Sequence, residues 1–335
     1  MTPHANGNLD AVVDAHGRAL RYLRVSVTDR CNLRCRYCMP PQGIQMLQHE
    51  DIITYEEIAS VARAAASIGV TSVRITGGEP LVRRGVVQLV EMLRGVPGLT
   101  DLSMTTNATL LAPAAESLAR AGLNRVNISL DSLDPAQYAA ITGGGDLRAA
   151  LDGLEAALAA GLTPVKVNAV MLGGRDDNEL RRWMEPFVKL AHRLPVHIRF
   201  IELMPVGGMT AGVVCGGAAI EAMRAFGAEP ANDFVTGAGP ARYFRLDGAL
   251  GSLGLIAAMS DPFCDRCNRL RLSARGRVRS CLFAPPALDL MPLLRPRADV
   301  AAIARALSKC WRAKPSSRAR PASDAADASM CQIGG

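Results

Sequence analysis

The chain lacks the hydrophobic features that are typical of membrane and secreted proteins. Its 335 residues contain no uninterrupted apolar run of about 18 residues, the length that spans a bilayer. Residues 1–10 contain neither a basic start nor an apolar segment, so no secretion signal is expected. We therefore expect a cytoplasmic protein without a membrane partner. Nine cysteines in that compartment favour metal or redox chemistry over disulfide bonds.

Lysine and aromatic residues are also scarce. Lysine occurs only four times, so the net charge of +7 comes from arginine. Aromatic residues make up 4% of the chain and no dense basic run is present, which argues against nucleic-acid binding. The arginine excess either reflects genomic composition or predicts affinity for an anion, because a guanidinium group forms two parallel hydrogen bonds to phosphate or carboxylate.

Three cysteines follow the first strand-like segment of the chain. Cys31, Cys35 and Cys38 are separated by three and then two residues. A [4Fe–4S] cluster is normally held by four cysteines, so three would leave one iron open to the amino and carboxylate groups of S-adenosylmethionine. Zinc is the alternative, with His49 as the candidate for a fourth ligand. The spacing alone leaves both metals open, whereas the odd number of thiols argues against disulfides.

Strand-like and helix-like segments alternate from residue 22 to about residue 205. Such alternation predicts an α/β fold with a parallel sheet that is built from βαβ units. No internal repeat is visible, so the pattern allows an open sheet as well as a barrel. The predicted strands are 22–27, 70–76, 102–106, 126–130, 165–171 and 196–201, and the predicted helices are 55–68, 85–93, 113–121, 147–160 and 178–191.

Polar residues follow five of these strands at the point where each strand ends. One such group is more often a turn or a helix cap than a binding site. Five groups on the same side of one sheet predict a pocket, because active sites of such folds lie at the carboxyl ends of the strands. The groups are the cysteine loop, Gly-Gly-Glu-Pro at 77–80, and residues 105–107, 129–131 and 202–205.

A second group of three cysteines lies in the last third of the chain. Cys264 and Cys267 are separated by two residues. A predicted hairpin that turns at Arg275-Gly276 would bring Cys281 back beside them. Two triplets, each without an obvious fourth ligand, strengthen the prediction of metal binding.

Three basic residues are candidates for binding an anion. Arg269 and Arg271 would lie on one face of the hairpin strand, because side chains alternate along a strand. That face is either solvated or an anion clamp beside the second triplet, and the nearby metal site favours the clamp. Lys166 lies within an otherwise apolar strand, where its burial would be costly unless it met an anion.

The first triplet and the Gly-Gly-Glu-Pro sequence together resemble the radical SAM enzymes. The longer strings at 22–40 and 74–81, the second triplet and the terminal Ile-Gly-Gly are similar to the GTP 3′,8-cyclase family. That family carries out the first step of molybdenum cofactor biosynthesis. The resemblance extends from about residue 14 to the C-terminus.

The resemblance implies a partial, TIM-like (β/α)6 barrel of the radical SAM type, with a C-terminal extension that holds a second [4Fe–4S] cluster. The first cluster would bind to Cys31, Cys35 and Cys38, and the second to Cys264, Cys267 and Cys281. The positions that bind S-adenosylmethionine correspond to Tyr37, Gly78, Ser129 and Met204. The positions around GTP correspond to Arg24, Arg74, Thr105, Lys166, Arg199, Arg269, Leu270 and Arg271, and the implied catalytic residues are Gly334 and Gly335.

The implied organisation has four parts. Residues 206–217 are rich in glycine and are interpreted as a hinge, and residues 311–329 have the composition of a flexible tail. We predict an N-terminal tail at 1–13, the radical SAM barrel at 14–206, the auxiliary-cluster region at 207–311, and a flexible tail that ends in Gly-Gly at 312–335.

The implied reaction converts GTP into (8S)-3′,8-cyclo-7,8-dihydroguanosine 5′-triphosphate, with S-adenosylmethionine and two [4Fe–4S] clusters as cofactors. A low-potential electron donor such as flavodoxin or ferredoxin is implied, because such clusters reach potentials of about −700 mV. The product would pass to cyclic pyranopterin monophosphate synthase, and the chain could form a homodimer. The alternatives are a radical SAM enzyme with an auxiliary cluster that acts on a peptide, and a zinc-dependent nucleic-acid-binding protein.

Three positions differ from the usual pattern of the family. Ala108 replaces the glycine of a Thr-Thr-Asn-Gly sequence, so we expect a negative φ at this position. Ser72 replaces a basic residue, which removes one possible phosphate contact. Ser329 replaces an arginine that often precedes the methionine near the C-terminus.

Overall fold

A single sheet organises the part of the chain that the computed structural model describes, which comprises residues 11–39, 43–173, 176–206, 214–231, 239–318 and 330–333. The strands are β1 Tyr22–Ser26, β2 Ser72–Thr76, β3 Asp101–Thr106, β4 Arg125–Ser129, β5 Val165–Met171, β6 Val196–Glu202, β7 Glu229–Ala231, β8 Arg242–Arg245, β9 Ser252–Ile256, β10 Arg269–Leu272, β11 Arg277–Arg279 and β12 Leu288–Asp289. The helices are α1 Tyr55–Ala66, α2 Val86–Arg94, α3 Ala115–Arg120, α4 Pro135–Thr142, α5 Leu147–Ala159, α6 Asp177–Arg193, α7 Gly216–Ala225, α8 Met291–Leu294, α9 Val300–Arg312 and α10 Met330–Ile333.

The first six strands form the parallel core of the sheet. Each of β1 to β5 pairs in parallel with the next strand along the chain, and all six predicted strands are present. Helices connect them, as the alternating sequence pattern predicted. The strand order begins at β12 and ends at β7, so the sheet does not close within the described residues. Residues from β1 to β6 line one cavity, as the inner face of a part-barrel does. The prediction of an α/β fold with a parallel sheet is therefore confirmed.

The C-terminal region adds a strand to each edge of that core. In this region β9 pairs in parallel with β6, and β10 pairs in parallel with β1. Antiparallel partners extend both edges further, with β8 and β7 beyond β9, and β11 and β12 beyond β10. The sequence predicted the hairpin of β10 and β11 but not its parallel pairing with β1. The second triplet is thereby attached to the same sheet as the first.

The two faces of the parallel strands differ in polarity. On β5 and β6, Val167 and Ile198 are fully buried in the main hydrophobic core, which lies between the sheet and the helices. The alternate residues Asn168 and Arg199 face the interior of the part-barrel, where they line a cavity. Because successive side chains of a strand point to opposite faces, this period of two separates the core from the cavity.

Local capping explains where several helices begin. A capping box of Thr54 and Glu57 begins α1, because each side chain accepts a hydrogen bond from the other residue's backbone N–H. The sequence analysis did not predict α4, although Asp134 caps it and Pro135 occupies its first turn, which is a recognisable start signal. None of the helices in the described ranges is long and apolar enough to cross a membrane.

The expected negative φ at Ala108 is wrong. Its φ is 64°, the only positive value of a non-glycine residue in the described ranges. The preceding turn holds it there: the N–H of Ala108 donates to Thr106 Oγ1 at 3.0 Å, and the N–H of Thr109 donates to Asn107 Oδ1 at 3.0 Å. Ala108 is fully buried, so its surroundings enforce a conformation that alanine alone disfavours.

A buried carboxylate joins the end of β6 to the C-terminal region. Glu202 is fully buried and accepts hydrogen bonds from the backbone N–H groups of Gly216 at 2.6 Å, Met259 at 2.7 Å and Ser260 at 2.9 Å. The hydroxyl of Ser260 donates to it as well. Glu202 therefore fixes the start of α7 and the segment that leads to Cys264 relative to the barrel.

Replacement of Glu202 by alanine should weaken this connection. Loss of the carboxylate leaves three backbone donors without their acceptor, so we expect the free energy of unfolding to fall by about 2 kcal/mol. Urea denaturation followed by circular dichroism measures the change. The matched control is Glu221→Ala, on the exposed face of α7, which should stay within about 0.5 kcal/mol of the unmodified protein. Equal stability of the two variants would contradict this role of Glu202.

Candidate functional site

One cavity lies at the carboxyl ends of the parallel strands and extends into the part-barrel. All five polar groups that follow the strands contribute residues to its lining, which confirms the predicted pocket. The cavity is also lined by all six cysteines of the two triplets, although the triplets lie at opposite ends of the sequence.

The loop of the first triplet is held by backbone hydrogen bonds to the end of α4. The N–H of Arg34 donates to the carbonyl of Thr142 at 2.8 Å, and the N–H of Arg36 donates to the carbonyl of Ile141 at 3.0 Å. Cys31, Cys35 and Cys38 are partly exposed and form no disulfide. The first cysteine loop is therefore held in place by α4, a helix that the sequence analysis did not predict.

The electrostatics of this loop fit a metal group better than free thiols. Burial, together with Asp131 and Cys31, raises the pKa of Cys35 above its usual value. A bound metal supplies the positive charge that makes clustered thiolates stable. The N–H of Leu33 lies 3.4 Å from Cys31 Sγ and the amide of Asn107 lies 3.9 Å from it, as donors beside a metal-bound sulfur would. In a four-iron cluster each cysteine binds a different iron, so the thiols need not converge on one point.

The Gly-Gly-Glu-Pro sequence packs directly against residues 28–30, the segment between β1 and the cysteine loop. A Cβ atom on Gly78 would lie 2.3 Å from the carbonyl oxygen of Arg30, so only glycine fits there. The carboxylate of Glu79 accepts from Thr106 Oγ1 at 2.8 Å and from the N–H of Asn107 at 2.7 Å. Burial raises the pKa of Glu79 to about 7 despite these donors. Glu79 thus ties the ends of β2 and β3 together.

Asp131 is a positioning residue that the predicted site set did not include. The hydroxyl of Tyr37 donates to its Oδ2 at 2.7 Å, and the N–H of Val170 donates to its Oδ1 at 2.8 Å. The indole N–H of Trp183 donates to its backbone carbonyl at 3.0 Å. Asp131 belongs to the polar group that follows β4, and a carboxylate at the end of a parallel strand is the sequence feature that indicates such a role. The four predicted S-adenosylmethionine-binding positions, Tyr37, Gly78, Ser129 and Met204, all line the cavity.

Six arginines also line the cavity, namely Arg24, Arg74, Arg199, Arg269, Arg271 and Arg318. In the strand register, Arg24 is the partner of Arg271 on one side and of Arg74 on the other. Burial, and then repulsion by Arg271 and Arg74, lowers the pKa of Arg24 well below its usual value. Burial likewise lowers the pKa of Arg74 and of Arg271 to about 10. Such a group of cations in a low-dielectric cavity favours binding of an anion.

The remaining predicted substrate-binding residues lie in three different environments. Thr105 lines the cavity, and Lys166 is buried deeper in the part-barrel. Burial, followed by repulsion from Arg199 and Arg125, lowers the pKa of Lys166 to about 7. The side chain of Leu270 belongs to the hydrophobic core instead, because it lies on the opposite face of β10 from its arginine neighbours. A substrate contact by the Leu270 side chain is therefore not supported.

Several polar atoms around this interior have no partner among the described residues. The hydroxyl groups of Tyr22 and Thr105, both amide atoms of Asn127 and Nη1 of Arg271 are buried without a hydrogen bond. Buried polar groups are normally satisfied, so these atoms mark places where a polar ligand would bind. The sequence analysis missed Tyr22 and Asn127. The alternation of β1 and β4 was the signal, since it places them on the same face as Arg24 and Ser129.

The second triplet lies on a short turn and the following hairpin. Cys264 begins a 3₁₀ turn, and Cys267 lies two residues before the start of the hairpin strand β10. Burial opposes ionisation of Cys267, but Arg269 and Lys314 outweigh it and lower the pKa of this thiol to about 7. A thiol that ionises near neutral pH is a competent metal ligand. The predicted turn is confirmed, since Gly276 adopts a φ of 76° between β10 and β11.

The two predicted catalytic glycines, Gly334 and Gly335, lie outside the described residues. The helix that precedes them reaches the cavity, because Met330 contributes to its lining. Ile333 is buried against Val206 and Leu282. The described part of the tail therefore ends beside the site.

Removal of one thiol of the first triplet should show how much iron each cysteine triplet binds. We expect Cys35→Ala, after oxygen-free reconstitution, to retain only about half of the iron of the unmodified protein, because the second triplet is untouched. Iron and acid-labile sulfide analysis measures this. Cys215→Ala is the control, since Cys215 is exposed and does not line the cavity, and its iron content should not change. Full iron content in Cys35→Ala would show that the first triplet does not bind metal.

Two family models together match most of the chain. The model described as the radical SAM superfamily matches residues 25–186, and the model described as molybdenum cofactor synthesis C matches residues 196–319. The first match contains the first triplet and the parallel strands up to β5. The second contains β6, the added edge strands and the second triplet.

Curated relatives agree with both matches. A GTP 3′,8-cyclase of Moorella thermoacetica is 49% identical over 88% of this chain and 92% of its own length. One of Pelotomaculum thermopropionicum is 46% identical over 90% of this chain and 93% of its own length. Among solved structures, Streptococcus suis SuiB bound to S-adenosylmethionine has the same fold, with a TM-score of 0.61, 16% identity, and coverage of 90% of this chain and 68% of that one. The chain therefore belongs to the GTP 3′,8-cyclase family of radical SAM enzymes.

Proposed function

We propose that the chain converts GTP into (8S)-3′,8-cyclo-7,8-dihydroguanosine 5′-triphosphate, the first step of molybdenum cofactor biosynthesis. The observation that carries this proposal is the lining of one cavity by two cysteine triplets and six arginines. The triplets suit two iron–sulfur clusters, and the arginines suit a polyphosphate. A peptide substrate would not require this number of cations in one cavity.

The first triplet would hold the [4Fe–4S] cluster that binds S-adenosylmethionine. S-adenosylmethionine, when it is bound there and reduced, would supply the 5′-deoxyadenosyl radical that takes a hydrogen atom from the substrate. The chain's own residues position it: Tyr37, Gly78, Ser129 and Met204 line that part of the cavity. Asp131 fixes the orientation of Tyr37, because its Oδ2 accepts a hydrogen bond from the Tyr37 hydroxyl at 2.7 Å.

The inward face of the part-barrel would bind GTP. The phosphates carry about four negative charges, which the guanidinium groups of Arg24, Arg74 and Arg199 would offset. The buried hydroxyl groups of Tyr22 and Thr105 would gain the hydrogen-bond partner that they lack within the described chain. Binding would therefore reduce the repulsion among the cations and give the unsatisfied polar atoms hydrogen-bond partners. These contacts would hold the ribose in one orientation and keep water away from it.

The second triplet would hold a further [4Fe–4S] cluster. Cys264, Cys267 and Cys281 again offer three thiols, so one iron would remain open. Arg269 and Arg271 line the cavity beside them and would bind GTP there. The terminal Gly334 and Gly335 would enter the site from α10, where the absence of side chains permits close approach.

The reaction also needs two electrons from outside the chain, one to generate the radical and one that, with a proton, replaces the hydrogen atom that the substrate loses. Arg30, Arg34 and Arg36 are exposed around the first cysteine loop and would attract an acidic, low-potential donor such as flavodoxin or ferredoxin. The product would pass to cyclic pyranopterin monophosphate synthase.

The decisive experiment incubates reconstituted protein with S-adenosylmethionine, dithionite and GTP without oxygen, and analyses the mixture by mass spectrometry. We expect 5′-deoxyadenosine and a rearranged nucleotide of the same mass as GTP to form together. ATP in place of GTP should give no cyclised product. Cleavage of S-adenosylmethionine with unchanged GTP would reject GTP as the substrate while retaining the radical chemistry.

The affinity for GTP should depend on pH through Lys166. Its pKa is lowered to about 7 by burial and by Arg199, Arg125 and Arg74, and Asp101 acts in the opposite sense. The neighbouring His197, whose pKa is lowered to about 4 by burial and then by Lys166, stays neutral in this range. Below pH 7 Lys166 is already charged, whereas above pH 7 it must take up a proton when the anion binds. The affinity should therefore fall as the pH rises, by up to about tenfold per pH unit.

Calorimetric titration with GTP between pH 7 and 8.5 measures this slope. Lys166→Met should bind GTP more weakly at pH 7 and should lose the slope, because no proton uptake remains. Lys189→Met, which removes an exposed lysine of α6, should retain the slope of the unmodified protein. The same slope in Lys166→Met would show that a group other than Lys166 takes up the proton.

A further inference from the structure

A buried lysine lies against the segments that carry the second triplet and is not among the residues that line the cavity. Lys314 follows α9 and is 4% exposed. Its ammonium group donates to the carbonyl of Arg269 at 3.3 Å and to the carbonyl of Ser280. Both acceptors lie on the segments that carry Cys267 and Cys281, so two of the three donors of the ammonium are bound there.

The backbone around Lys314 is itself fixed by a buried ion pair. Arg18 pairs with Asp14 at 2.6 Å, and both residues are 6% exposed. The Arg18 guanidinium donates to the carbonyl of Cys264 at 2.7 Å and to the carbonyl of Pro315 at 2.7 Å. One side chain from the start of the chain therefore joins the first cysteine of the triplet to the segment of Lys314.

Trp311 completes this arrangement from α9. Its indole N–H donates to the carbonyl of Arg18 at 3.0 Å. The ammonium of Lys314 lies 4.9 Å from the centre of the Trp311 ring, within the range of a cation–π contact. The position of Lys314 is thus determined by both ends of the chain.

We propose that Lys314 is a positioning residue and charge partner of the metal group held by Cys264, Cys267 and Cys281, with Arg18 fixing it in place. This inference rests on the proposed second cluster. Lys314 does not line the cavity, whereas Arg269 and Arg271 do, so its charge acts on the cysteines rather than on the substrate.

The physical role follows from the charge of thiolate ligands. Groups outside the ligand set that hold the ligands of a metal in place orient them and tune its affinity, and their loss typically costs about 10- to 100-fold in metal affinity. Net charge and hydrogen bonds to the sulfurs also set the reduction potential of an iron–sulfur cluster. A nearby ammonium stabilises the reduced cluster, which carries one more negative charge, so removal of the ammonium should lower the potential.

The test uses the full chain with Cys31→Ala, Cys35→Ala and Cys38→Ala, so that all bound iron belongs to the second triplet. Into this background we would introduce Lys314→Met, which keeps the length and removes the charge. Lys314→Arg restores a cation, and Lys309→Met removes an exposed lysine of α9 as the control. Circular dichroism verifies folding, and Lys314→Gln replaces the methionine variant if that variant does not fold.

Two readouts are independent of catalytic activity. The first is the rate of iron release to a chelator, which should rise about tenfold in Lys314→Met. The second is the reduction potential from a dithionite titration followed by electron paramagnetic resonance, in which each cluster accepts one electron and no bond changes. This potential should become more negative in Lys314→Met and return towards the original value in Lys314→Arg.

The outcomes separate the two proposals. An unchanged potential and an unchanged rate of iron release in Lys314→Met would overturn the role of Lys314 while leaving the second cluster intact. A background protein that binds no four-iron cluster would overturn the proposed second cluster, and this inference with it. An equal effect of Lys309→Met would also overturn the inference, because it would show that general surface charge is sufficient.

Discussion

The rest of the structure depends on one constraint, the electrostatic free-energy cost of keeping several cations together in a buried cavity. Burial and mutual repulsion lower the pKa of Arg24, and the same two causes bring the pKa of Lys166 to about 7. An enclosed anion is the partner that offsets this cost, because Coulomb interactions are strong where water is excluded. The folded chain therefore carries an electrostatic strain that its proposed substrate removes on binding.

The sheet makes this arrangement possible. Its helices cover one face with apolar side chains, so the stability of the core does not depend on the inner face. The inner face is thus free to carry polar and charged residues at every second position. The C-terminal region extends this principle, since β10 places Arg271 beside Arg24 and brings the second triplet to the same cavity. Both cysteine groups and the cations consequently share one enclosed space.

Buried polar side chains hold the separate segments of the site together. Glu79 links β2 to β3, Asp131 links the cysteine loop to β5, and Glu202 links β6 to the segment before Cys264. Each carboxylate accepts backbone or hydroxyl donors from elements that are distant in the sequence. Because a buried carboxylate without such donors is costly, each one specifies a single relative placement of the segments that it joins.

The sequence by itself determined the six strands of the parallel core, the two cysteine triplets and the arginines beside them, because strand periodicity and cysteine spacing are local properties. It also allowed the pocket at the strand ends to be predicted. Only the tertiary structure decided that β10 pairs with β1, that Leu270 faces the core, and that Ala108 adopts a φ of 64°. The contacts of Asp131, Asn127 and Lys314 were equally out of reach, since each depends on which distant segments meet. Local patterns encode the faces of an element, whereas the partners of a buried polar group are set by packing over the whole chain.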